Sequence, residues 1–244
     1  MVDLLISEWI KLRTVRSHLV LLIVAIAFPV VLTGLIVGLS DVGDISDDML
    51  AGSITGSGVL SALLAGVVGV LAFAQESTYN TLRVTFAATP IRRRVIVAKA
   101  IVVAATAALM AIAIIGITTV VGSVILGARD AESDAYLSAY AAFIAFTLLC
   151  ALLGLALGML TRSAPVGIVI LIAWPFIVEG LLGGLLGLII EEPFQYLPFL
   201  SAINALSPTV TAEGFGRVGS LAYFGGWVLV LAILGAVANE RRDV

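Results

Sequence analysis

The sequence holds almost no cysteine or histidine, two residues on which metal sites and nucleophilic catalysis often rest. Its 244 residues include one cysteine, Cys150, and one histidine, His18. A single cysteine forms no intrachain disulfide, and within its apolar run it reads as a buried, inert thiol. A single histidine beside an apolar run reads as a packed or snorkelling imidazole rather than a metal ligand. No Cys/His cluster is present and no Ser/His/Asp set converges. The G-x-x-x-x-G-K-[ST] phosphate cradle is missing, so the chain does not bind ATP in that way. Charge is scarce as well. Only 12% of residues are charged, against about 25% in soluble domains, and no nucleic-acid partner is expected.

What the sequence does hold is apolar. Hydrophobic residues make up 61% of the chain and the mean hydropathy is +1.19. No segment is long and polar enough to build a soluble core of its own, so the reading is one polytopic membrane domain over 1–244. Spans are expected at 17–39, 54–74, 95–127, 136–160, 166–190 and 221–238. The first apolar run would extend roughly 34 Å as a helix, enough to cross a bilayer and too long for a signal-peptide core. No cleavage signal follows it, so it reads as a retained span.

Ahead of it, residues 1–16 place Val2, Leu5, Ile6, Trp9, Ile10 and Leu12 on one side of a helical wheel. Asp3, Ser7, Lys11, Thr14 and Arg16 fall on the other, with Arg13 trespassing on the apolar side. That is the pattern of a helix lying in the membrane plane; the plainer alternative is a basic flank that merely sets topology. Basic residues then orient the chain. Eleven of the thirteen lysines and arginines fall in 1–16, 75–99, 161–165 and 239–244. Only Arg129 and Arg217 fall in the opposite loops, which are acidic: Asp41, Asp44, Asp47, Asp48, Asp130, Glu132, Asp134, Glu191, Glu192 and Glu213. The bias puts both termini in the cytoplasm.

The stretch Gln75–Lys99 is the long polar interruption on that side. Tyr79, Leu82 and Phe86 form an apolar stripe, and Thr89-Pro90 reads as an N-cap and first-turn proline opening a new helix. Arg92, Arg93 and Arg94 would face anionic lipid or an acidic partner. Such an elbow suits the transfer of a push from a soluble partner to spans two and three; a basic topogenic loop is the alternative. On the other side, 191–220 carries Pro193, Pro198 and Pro208 among apolar residues. A segment that dips partway into the membrane fits this better than a solvated loop.

Glu179 is the one acidic residue deep in a span. Intramembrane carboxyls are functional candidates, and a pathway role, with Phe176 beside it, competes with a structural one. The structural reading has it capping backbone freed by Pro175 or touching another subunit. Small-xxx-small spacing appears at Gly34/Gly38, Gly154/Gly158, Gly180/Gly184 and Gly183/Gly187. The span-five set, Gly180, Gly184 and Gly187, is the candidate dimer seam.

Glu76, then Asn80-Thr81-Leu82, Thr89-Pro90, Arg92–Arg94 and Lys99 together resemble the signature of the type-2 ABC-transporter permeases, where such a run carries a coupling helix. The opening SEWIKLRTVRS and the six-span topology are similar to that family as well. Asn80 stands where the family usually has glycine. The resemblance implies an all-α permease with an in-plane N-terminal helix, a cytoplasmic coupling helix and a re-entrant external segment. It implies two cytosolic ATPase subunits that hold ATP and Mg2+, a second permease, identical or related, and no cofactor in this chain. The docking surface would lie in 1–16 and 76–94, with the 161–165 turn as a further candidate. Its residues would be Glu8, Lys11, Arg13, Glu76, Tyr79, Thr81, Leu82, Arg83, Phe86, Pro90, Arg92, Arg93 and Arg94. The expected task is export of a drug, antibiotic, peptide or lipid from a bacterial cytoplasmic membrane, without enzymatic activity in this chain. A proton-coupled secondary transporter working through Glu179 and a non-transporting scaffold or sensor are the alternatives.

Overall fold

The computed structural model describes residues 1–39, 47–82, 85, 91–126, 134–207 and 215–241. Among these every regular element is a helix. In order they are α1 (Val2–Thr14), α2 (Arg16–Leu39), α3 (Asp47–Thr78), α4 (Arg92–Leu126), α5 (Asp134–Thr161) and α6 (Ala164–Ala173). A π-helical turn (Trp174–Glu179), α7 (Gly180–Leu186), a 3-10 turn (Pro193–Tyr196), α8 (Pro198–Asn204) and α9 (Gly216–Arg241) complete the described elements. Six stretches are long and apolar enough to cross a membrane, at 21 to 30 residues each, with α6, the π turn and α7 forming the fifth. Sequence expectations at Asp41, Asp44, Arg83, Phe86, Thr89, Pro90, Arg129, Asp130, Glu132, Pro208, Glu213 and Arg242 lie outside the described residues.

The helices divide by burial. Of their most apolar stretches, 72% of α3 and 61% of α5 is covered by protein, against 17% of α2 and of α9. An element whose apolar residues are covered all round belongs to the core, whereas one covered on a single side presents the rest to lipid or to another chain. Glycine decides how the two central helices meet. A Cβ on Gly154 of α5 would collide with the carbonyl of Gly66 on α3, and one on Gly69 with the carbonyl of Ala151. Only backbones stripped of side chains approach this closely, which is the means by which spans pack where no hydrophobic driving force separates them from lipid. Gly154 and Gly158 are thus spent inside the chain, while Gly180 and Gly184 have nothing within 4 Å.

Two breaks redirect the helices. Val15 is extended (φ −79°, ψ 114°) and makes the bend between α1 and α2. Within the fifth span Pro175 lacks an N–H, and the helix widens to a π turn from Trp174 to Glu179. Beyond that span the chain folds back on the bundle. Phe199 of α8 meets Phe146 of α5 and Phe224 of α9 edge to face, with ring centroids 5.3 and 5.6 Å apart. Arg217 fastens the same segment, donating to the carbonyls of Ala205 at 3.0 Å and Ser207 at 2.7 Å and to the Ser138 hydroxyl.

Candidate functional site

The apolar side of α1 is divided between the bundle and the outside. Val2, Ile6, Trp9 and Ile10 are exposed, and the helix meets the bundle through Leu4, Leu5, Glu8 and Leu12. Burying Glu8 demands a cation, and the fold supplies two. Lys99 of α4 donates to Glu8 Oε2 at 2.5 Å and to Glu76 Oε1 at 3.0 Å. Lys11 donates to Glu8 Oε1 at 2.7 Å and to the same Glu76 Oε1 at 2.9 Å. Two acids and two bases alternate in a closed, neutral ring that joins α1, the end of α3 and the start of α4. Lys99 and Glu8 are 3% and 4% exposed and Glu76 is 13%, so the ring is largely desolvated and its pairs are strongly coupled.

Lys11 is the member nearest solvent. Burial works against its charge, but the hydrogen bonds and charges of Glu8 and Glu76 outweigh it and raise its pKa above the usual 10.5. Its stabilising contribution is therefore complete below 10.5 and is lost only as pH climbs through the higher folded value.

α3 ends beside the ring. Tyr79 and Asn80 turn the chain, Asn80 at φ 57°, a left-handed conformation that asparagine adopts more readily than other side-chain-bearing residues. Tyr79 is 75% exposed. Thr81 is also exposed and donates to the Glu76 carbonyl at 3.3 Å. Leu82 is buried against Phe73, Val95, Leu155 and Met159. Arg13 and Arg94 are exposed.

The basic run contacts the C-terminal helix, which sequence reasoning missed. Arg93 pairs with Glu240 at 2.5 and 3.1 Å, and Arg92 donates to the carbonyl of Asn239 at 3.0 Å. The Asn239 side chain, wholly buried, donates to the carbonyls of Met159 at 3.1 Å and Gly235 at 2.8 Å. Its Oδ1 accepts from Arg162 at 2.8 and 3.1 Å. One asparagine thus ties the end of α9 to the α5–α6 turn and to α4. Its signal in the sequence was slight: one amide in an otherwise apolar run.

At the other end Glu179 is 1% exposed. Its carboxylate accepts from the backbone N–H of Phe199 at 3.0 Å and Leu200 at 3.0 Å, and from Trp174 Nε1 at 3.2 Å. These N–H groups open α8, whose own N-cap residue, Leu197, has no side-chain acceptor to offer. The carboxyl group caps a helix 20 residues ahead, and among the described residues it makes no hydrogen bond to the backbone that Pro175 frees. Phe176 lies on the outer surface at 56% exposure.

Residues 4–180 match the family model described as ABC-2 family transporter protein. The chain belongs to this family. The match runs from α1 through the π turn, so it contains the whole ionic ring and stops one residue past Glu179; α8 and α9 lie beyond it. With six apolar helices this ABC-2 family member is a multi-pass membrane protein of the permease kind. No curated protein matches the chain.

Proposed function

We propose that the chain is the membrane-spanning subunit of an ATP-driven exporter. It works with a separate cytosolic ATPase that binds ATP and Mg2+, and moves a hydrophobic or amphipathic substrate such as a drug, antibiotic, peptide or lipid across a bacterial cytoplasmic membrane. The observation that carries this is the ionic ring inside the family match, which ties α1, α3 and α4 together where the polar elbow begins. α1 lies in the membrane plane with Val2, Ile6, Trp9 and Ile10 in lipid. The elbow over 75–94 is the coupling helix, both termini are cytoplasmic, and 191–220 re-enters the outer leaflet.

In this reading the exposed residues Arg13, Tyr79, Thr81 and Arg94 meet the ATPase, while Glu8, Lys99 and Leu82 hold the surface in shape from behind. Two ATPase subunits and a second permease complete the assembly, with Gly180 and Gly184 open on the fifth span for the permease seam. The proton-coupled alternative loses ground, because the Glu179 carboxylate is occupied by three N–H donors. Purification from the native membrane tests the proposal. An ATP-binding subunit should co-elute, and its turnover should rise with substrate. A chain that moves substrate down a proton gradient with no ATPase present would overturn it.

A further inference from the structure

Behind the bend at Val15 lies an open cavity of about 620 Å³, walled mainly by α1, α2, α3 and α4. Three features of its wall stand unexplained by the fold. His18 is 3% exposed, and neither ring nitrogen has a partner. Glu76 Oε1 takes both lysines of the ring, yet its Oε2 is buried with none. Arg16 makes no ion pair among the described residues. It opens a 24-residue helix in which His18 and Leu19 donate to the Val15 carbonyl, while the N–H groups of Arg16 and Ser17 have no acceptor within the helix. A buried donor or acceptor left unmade costs more than a made bond returns, so this wall is built for something polar.

Charge says what kind of thing. Glu8, Lys11, Glu76 and Lys99 cancel one another within the ring. Arg16 and the positive end of α2 are left to take an anion, as helix N-termini do. The orphan Glu76 oxygen and the acceptor nitrogen of His18 call for N–H donors instead. One molecule meets both demands if it carries a phosphate and a primary ammonium a few bonds apart. Leu71, Val102 and Val103 continue the wall into the spans. The cavity sits where the first and third apolar stretches begin and the second ends, the end of a span at which headgroups are met.

We propose that this cavity binds the headgroup of an aminophospholipid. Its phosphate lies on Arg16 and the first N–H groups of α2, and its ammonium lies between Glu76 Oε2 and the His18 imidazole. A bare anionic headgroup would satisfy Arg16 but leave Glu76 Oε2 without a donor. A choline headgroup fills the space but has no N–H to give. The site shares Glu76 with the proposed docking region without depending on it, because lipid retention is read on the permease with no ATPase present.

The test is native mass spectrometry of the full-length chain, released from vesicles with equal parts of phosphatidylethanolamine, phosphatidylcholine and phosphatidylglycerol. The wild type should retain one phosphatidylethanolamine about tenfold over either other lipid, the worth of one charge-assisted hydrogen bond. His18→Leu should erase that preference, whereas Arg16→Gln, which removes a phosphate partner common to all three lipids, should lower the retention of all three about equally. His18→Leu removes two buried nitrogens that have no partner and should melt no lower than wild type, and Arg16 is exposed, so one variant stays informative if the other folds poorly. Equal retention of the three lipids by the wild type, a preference for phosphatidylglycerol, an undiminished preference in folded His18→Leu, or undiminished retention in folded Arg16→Gln would each overturn the proposal.

Discussion

The ammonium of Lys99 lies 2.5 Å from Glu8 Oε2, across 91 residues of chain. Both groups are almost wholly buried, so neither is tolerated alone. Removing one partner of a buried pair costs about 3–5 kcal/mol, most of it the stranded charge. Lys99→Met should therefore lower the melting midpoint of the detergent-purified chain and release α1 to proteolysis. Glu8→Leu combined with Lys99→Met leaves the Lys11–Glu76 pair neutral and should regain most of the loss. Thermal melts of the two singles and the double check this; a double variant as unstable as the sum of the singles would refute the ring as a coupled unit.

Glycines at one spacing should behave in opposite ways. At Gly154 a methyl group runs into the Gly66 backbone, which has no side chain to move aside, so Gly154→Ala should cost about 3 kcal/mol or more by overpacking. Gly184 faces open space. Gly184→Ala should leave the melt of the single chain unchanged, and Gly184→Phe should disrupt permease pairing if the fifth span forms the seam. Melting curves and cross-linking in membranes separate the two effects.

The six spans were legible because a run of some 20 apolar residues reports its own environment through length and composition alone. Asn80 can stand where the family usually has glycine because its left-handed backbone is one that asparagine tolerates. What the sequence withheld is long-range. The apolar arc of α1 is broad, and a wheel does not say that Leu5 and Leu12 face the bundle while Trp9 and Ile10 face away. Glu8 looks like a surface acid until Lys99 is brought beside it. Small-xxx-small spacing marks Gly154 and Gly184 alike, and only the partner helix distinguishes the packed one from the open one. Glu179 stood out correctly as a costly residue, but the amides that occupy it belong to α8, which no periodicity near residue 179 could reveal.

Glu179→Gln keeps an acceptor oxygen for the amides of Phe199 and Leu200, whereas Glu179→Leu keeps none. Phe199 is 2% exposed, and a buried N–H left without a partner costs about 1–3 kcal/mol. The leucine variant should thus melt lower and loosen 191–207 to hydrogen exchange, while the glutamine variant remains near wild type. Under the capping role transport survives Glu179→Gln with its pH dependence unchanged. Abolished transport in a glutamine variant of normal stability would move Glu179 back onto the pathway.

Arg93 separates a partner-facing role from an internal one. Its pair with Glu240 is short, but Arg93 is 78% exposed, and ion pairs so open to water are screened and add little to stability. Arg93→Glu should therefore leave the melt of the purified permease unchanged. If the basic run meets an acidic surface of the ATPase, the same substitution should reduce co-purification of that subunit, more so at low salt, where unscreened charge acts furthest. The pair supplies its own control. Glu240→Arg added to Arg93→Glu restores the internal attraction with the signs exchanged. Assembly that returns in the double variant would assign Arg93 to holding the α9 end in place, whereas assembly that stays lost would assign the guanidinium itself to the partner.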